Sequence, residues 1–156
     1  MKPATPETDS PPESSRQPTS FAGLTVGDLM KHHVHTVTPN ERLDDMHALM
    51  RIAGIRHLPV MAGDKLVGII SDHDVVLAWT QGPETRASAI MTRQTRWVFP
   101  ETPAREAAFH ILHDKIGCLP VLDHACKLVG IVTESDFVAI AYRALTIQLA
   151  IAANDL

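Results

Sequence analysis

A carboxylate three residues beyond a hydroxyl occurs at two matching places in this chain, Ser71-x-x-Asp74 and Thr133-x-x-Asp136. Each pair follows an apolar run of strand character, Gly68-Ile69-Ile70 or Gly130-Ile131-Val132, and precedes a helical stretch. The hydroxyl residue therefore stands where a strand ends and a helix begins, and an acid three positions on faces the same side. An ionised carboxylate only accepts hydrogen bonds, so it can take both hydrogens of a sugar's neighbouring hydroxyls. The Ser or Thr hydroxyl and the unpaired N–H groups of a helix start favour an anionic oxygen. The same spacing is also a capping box, which closes a helix N-terminus and binds nothing. A single copy argues for capping; two copies behind similar apolar strands argue for a ligand.

Other chemistries find less support. Nine histidines invite a metal, with His32, His33 and His35 clustered before a strand and His110 and His113 a helical turn apart. Zinc wants three or four converging ligands, and neither group has a carboxylate or cysteine at matching spacing, so these read as exposed histidines. Cys118 and Cys126 form no CxxC pair and too small a set for a disulfide framework, which points to reduced thiols and a cytoplasmic setting. No nucleophile turn or glycine-rich phosphate loop signals catalysis. Fourteen Lys and Arg stand against 18 Asp and Glu, and a net charge of -4 lacks the positive field that nucleic acid attracts. No leader peptide is visible, and Arg143 and Gln148 interrupt the nearest approach to a membrane span, 137–153.

The elements that must position the two acids come as a tandem repeat. Met30, Val37 and Pro39 recur as Met91, Val98 and Pro100 at a shift of 61, and Ile55…Leu58-Pro59-Val60 falls on Ile116…Leu119-Pro120-Val121. After one inserted residue, Lys65-Leu66-Val67-Gly68-Ile69 falls on Lys127-Leu128-Val129-Gly130-Ile131. Within each copy the spacing predicts a helix over 40–53 or 101–114, a hairpin of Leu58–Met61 with Leu66–Ile70 and its second-copy equivalent, and a helix over Asp72–Thr80 or Glu134–Asn154. Each repeat is thus strand–helix–strand–strand–helix, spanning 24–80 and 85–145, with the last helix running on to about 154. A unit of that size buries too little apolar surface to stand alone, so the two should pair their sheets about a pseudo-twofold axis in an α/β (α+β) fold. The last helix has several apolar flanks, which suits either a homodimer contact or closure over its own sheet. Residues 1–20, with five of the eleven prolines and no large apolar residue after Met1, read as a disordered tail, inert or partner-binding.

The order of these pieces resembles a tandem pair of cystathionine-β-synthase (CBS) domains, the Bateman module. The residues that carry the likeness are Val26-Gly27-Asp28-Leu29-Met30, Val37-x-Pro39, Ile55-x-x-Leu58-Pro59-Val60 and Gly68-x-x-Ser71-x-x-Asp74, with their second-copy equivalents. Any one is weak; four in order, twice over, are specific. The resemblance implies a regulatory module, not an enzyme, that binds adenosine-containing ligands such as AMP, ADP, ATP or S-adenosylmethionine. It also implies composite pockets, the acid-bearing turn of one repeat facing the early strands of the other. Ser71 and Asp74 would then be joined by Arg96, Trp97, Val98, Gly117 and Cys118. Thr133 and Asp136 would be joined by His35, Thr36, Val37, Arg56 and His57, whose donors should let that pocket tolerate more phosphate charge. Catalytic domains of proteins that carry this module lie elsewhere in longer chains, so any effect here would be exerted on a separate partner protein. The alternatives are a ligand-free dimerisation adaptor, or a module for metal or nucleic acid.

Overall fold

The two KLVGI segments and the LPV segments before them fold into antiparallel hairpins: β1 (His57–Ala62) with β2 (Lys65–Ser71), and β3 (Cys118–Leu122) with β4 (Leu128–Thr133). The computed structural model describes residues 21 and 23–154, with side chains to residue 147; the tail expected to be disordered, 1–20, lies outside the described residues. Registers match between the copies. Val60 pairs with Gly68 and Val121 with Gly130, and each hairpin has an irregularity one residue later, at Val60/Met61 and Val121/Leu122. Gly63, at φ +60, turns the first hairpin. The second places Cys126 at φ 61, held by Asp123 Oδ1, which accepts from Ala125 N at 2.9 Å and Lys127 N at 2.8 Å.

The helices are α1 (Leu43–Ala53), α2 (Asp72–Ala78) with a 3-10 turn over Trp79–Gln81, the short α3 (Ala87–Ile90), α4 (Ala104–Asp114) and α5 (Glu134–Asn154). α1 and α4 begin three residues later than their apolar spacing suggests. The carbonyls just before them are already engaged: Glu41 O and Pro39 O accept from Ala87 N and Ser88 N at 2.9 Å each. Thr102 O and Pro100 O accept from Val26 N and Gly27 N at 2.8 Å each, the same pattern with the repeats exchanged.

That exchange is the organising feature of the molecule. The expected first strand of each repeat shrinks to a single parallel bridge, Val37 with Val60 and Val98 with Val121. Pro59 and Pro120 offer their carbonyls to this sparse edge (from Val37 N and Val98 N, 3.1 Å each), so the N–H each proline lacks is not missed by the hairpin. The opposite edges are closed from the other repeat: Thr92 bridges Ile69 of β2, and Lys31 bridges Ile131 of β4. The cores are shared in the same crosswise way. Ala87 and Met91 pack with Leu43, Met46, Leu58, Val60 and Ile70, whereas Val26, with Leu29 and Met30, packs with Leu119, Val121, Val132 and Ile111. The chain is therefore a mixed α/β fold of two small antiparallel sheets with a pseudo-twofold relation between repeats.

Candidate functional site

The strand–helix junctions place both acids at the inner ends of the hairpins. Ser71 caps α2, with its Oγ accepting from Asp74 N at 3.2 Å, while Asp74 Oδ2 accepts from Ser71 N at 2.8 Å and from Ser71 Oγ at 2.7 Å. Thr133 repeats the reciprocal half, with its N and Oγ1 both donating to Asp136 Oδ2 at 2.8 Å. Capping is thus real, and it uses one carboxylate oxygen. Among the described residues Asp74 Oδ1 has no protein partner, whereas Asp136 Oδ1 accepts from Lys31 Nζ at 2.8 Å.

Each acid-bearing turn borders a cleft formed with the other repeat. The first, of about 240 Å³, brings Ser71 and Asp74 together with Arg96, Gly117 and Cys118, and adds Thr92, Gln94, Thr95, Lys115 and Ile116. The second, of about 110 Å³, brings Thr133 together with His35, Arg56 and His57, and adds Lys31, His33, Val34, Gly54, Ile55 and Ser135. Asp136, expected in this pocket, is not one of its lining residues; its side chain, only 14% exposed, reaches the lining through its bonds to Lys31 and Thr133. The two linings correspond through the duplication: Lys31 with Thr92, His33 with Gln94, His35 with Arg96, Gly54 with Lys115, Arg56 with Gly117, and Thr133 with Ser71.

Four residues implied as pocket contacts lie elsewhere. Val37 and Val98 are buried in the two cores, because they supply the parallel bridges to β1 and β3. Thr36 is exposed and does not line the second cleft. Trp97 turns away from the first cleft, edge-on to Phe99 with ring centroids 5.0 Å apart, and borders a separate groove with Lys65, Arg93 and Cys126. Conversely, Lys31 and Lys115 line the clefts without being expected there. Lys31 carries no local signal, since its contact with Asp136 spans 105 residues. Lys115 closes α4 in the left-handed conformation at φ 55, where the first copy has Gly54.

The electrostatics follow from burial. His57 borders both clefts, and its ring lies so close over Gly117 that a Cβ there would collide with it. Burial pushes the His57 imidazole below its ordinary 6.5, Asp72 opposing and Arg56 reinforcing the shift, so it offers neutral-ring hydrogen bonds and not a cation. Burial likewise pushes the Cys118 thiol up to about 12, which keeps it protonated and unreactive. Arg96 is partly neutralised: its Nε lies 2.8 Å from Asp114 Oδ2, which also takes His110 Nδ1 at 3.2 Å. His110 thus has a carboxylate one turn along, contrary to the sequence reading, but an arginine shares it. Among the described residues no group of three or more His, Cys, Asp or Glu is placed to hold a metal. No described helix is long and apolar enough to cross a membrane.

The chain as a whole is similar to known proteins. The family model for the CBS domain matches residues 26–80 and again 87–142. The chain is 38% identical over 103 residues to inosine-5'-monophosphate dehydrogenase of Korarchaeum cryptofilum, covering 66% of this chain and 21% of that enzyme, so it spans about a fifth of the relative's length. It is similar to the CBS domain pair of protein MJ0100, solved in complex with 5'-methylthioadenosine and S-adenosyl-L-methionine (TM-score 0.73, 27% identity, 78% of this chain and 98% of that one). It is also similar to CBSX2, a CBS-pair protein of Arabidopsis thaliana, in complex with AMP (TM-score 0.69, 30% identity, 78% and 98%).

Proposed function

Because the chain belongs to the CBS domain family and carries that domain as a tandem pair, we propose that it is a non-catalytic cytoplasmic sensor: it binds adenosine-containing ligands in the two clefts between its repeats and passes the bound state to a separate partner protein. 5'-Methylthioadenosine, S-adenosylmethionine and AMP, the ligands of the two similar structures, have a ribose diol and an adenine in common and differ at the 5' end. That supports recognition of the nucleoside, with the 5' substituent left to each protein's own residues.

The observation that carries the reading is the split duty of Asp74. Oδ2 holds the helix start, and Oδ1 remains an acceptor beside a cleft whose other wall comes from the second repeat. In this reading Ser71 and Asp74 grip the ribose, with Arg96, Gly117 and Cys118 around the ligand; Thr133 and Asp136 do the same with His35, Arg56 and His57. A ligand touching both repeats favours whichever relative angle fits it better, by its differential affinity and no more. The partner reads that angle. A homodimer enters through the exposed apolar residues of α5, Val138, Tyr142 and Leu145.

Thermal melting with AMP, ADP, ATP and S-adenosylmethionine tests the proposal. Mass action gives about 2.7 kcal/mol of stabilisation at a hundredfold excess over the dissociation constant. An upward shift with at least one of them is expected. No shift with any would favour a ligand-free dimerisation adaptor.

A further inference from the structure

We propose that Lys31 sets the ligand selectivity of the second cleft, making it accept nucleotides and resist nucleosides while the first accepts both; the inference rests on the nucleotide reading above. The two clefts differ most sharply at one pair of equivalent residues. Lys31 and Thr92 have the same backbone role: Lys31 N donates to Ile131 O at 2.9 Å and Ile131 N to Lys31 O at 3.1 Å, as Ile69 N and Thr92 N do with each other's carbonyls at 3.0 and 2.9 Å. Only their side chains part ways. Thr92 leaves Asp74 Oδ1 without a protein partner among the described residues, whereas the Lys31 ammonium occupies Asp136 Oδ1 at 2.8 Å.

Both oxygens of Asp136 are therefore engaged, Oδ2 by Thr133 and Oδ1 by Lys31. Oδ2 already accepts twice from Thr133 and Oδ1 once from Lys31, so one acceptor site is left, and a ribose diol that donates both its hydrogens must exchange a charge-assisted hydrogen bond for a neutral one, which is a net loss. A 5' phosphate reverses the balance. The displaced ammonium sits on a flexible stem, 55% exposed at the cleft mouth, and a bound phosphate gives it a new anion beside Arg56. In the first cleft the corresponding acceptor needs no displacement, and Arg96 is held by Asp114. Lys31 thus couples sugar binding to the presence of an anion on the same ligand.

Isothermal titration of the full chain with adenosine and with AMP tests this, using K31T and the reciprocal T92K. In the unaltered protein adenosine should fill one site per chain and AMP two. K31T should gain a second adenosine site and lose AMP affinity at the second cleft by roughly 3- to 10-fold, the range between an exposed and a charge-assisted contact. T92K, which sets a lysine opposite Asp74, should weaken adenosine at the first cleft by a similar factor. Identical adenosine stoichiometry in the unaltered protein and K31T overturns the selectivity claim, as does T92K binding adenosine unchanged; AMP binding would then leave the nucleotide reading standing. Absence of heat with both probes in the unaltered protein overturns the selectivity claim, and overturns the nucleotide reading as well if ADP, ATP and S-adenosylmethionine also leave the melt unshifted.

Discussion

At Asp74 the capping box engages one carboxylate oxygen and leaves the other for the proposed ligand contact. Ser71→Ala removes the side-chain acceptor for Asp74 N and should cost about 1 kcal/mol in chemical denaturation, the usual worth of a helix cap. Asp74→Asn keeps an oxygen for the cap while removing the charge, so it should weaken adenosine-ligand binding with little change in the melt. His57 makes a pH prediction. Its folded value lies below 6.5, so the folded state binds fewer protons than the unfolded one as pH drops. Its contribution is complete above pH 6.5 and is lost as pH falls towards the depressed value; His57→Gln should flatten the stability profile in that window. The Ser/Thr–Asp pairs were legible in the sequence because their geometry is local, three residues within one turn. Lys31 was not, because it meets Asp136 across 105 residues, and nothing in its own neighbourhood announces that contact.

The hairpins were legible as short apolar runs around a turn, α1 and α4 from their apolar spacing, and α2 and α5 from the hydroxyl residues that precede them. The leading strands were not. Val37 and Val98 look like strand residues but make one bridge each, because residues on either side go to cross-repeat hydrogen bonds and to the cleft. α3, four residues long, is too short to show a helical period. The two KLVGI glycines have a packing reason at this scale. A Cβ on Gly68 would lie 2.8 Å from Met91 Sδ and 3.0 Å from Thr92 O, and one on Gly130 would lie 2.5 Å from Met30 Sδ and 3.1 Å from Lys31 O. Each leading methionine therefore needs the other repeat's glycine. Gly130→Ala should destabilise by about 1–3 kcal/mol, as overpacking does. Adding Met30→Leu should recover only part of that in equilibrium unfolding, because the Lys31 carbonyl cannot withdraw without breaking its bridge to Ile131.

The duplication was plain from sequence, but which half each leader belongs to was not, because the pairing is non-local and either assignment buries the same residues. Crosswise cores make the molecule one cooperative unit. A fragment ending at Gly82 lacks Ala87 and Met91 from its own core and leaves Val26 and Met30 without theirs. It should show no cooperative melt alone. The clefts exist only where both repeats are present, so ligand binding and folding of the whole should rise and fall together. The central claim is that two carboxylates, one from each repeat, grip the sugar of an adenosine ligand. Titration calorimetry with AMP on the double variant Asp74→Asn, Asp136→Asn, beside the unaltered chain and at matched thermal stability, tests it most directly. At least about a tenfold loss of affinity is expected, the scale of a charge-assisted hydrogen bond; an AMP affinity equal to that of the unaltered chain would overturn the assignment of the two carboxylates.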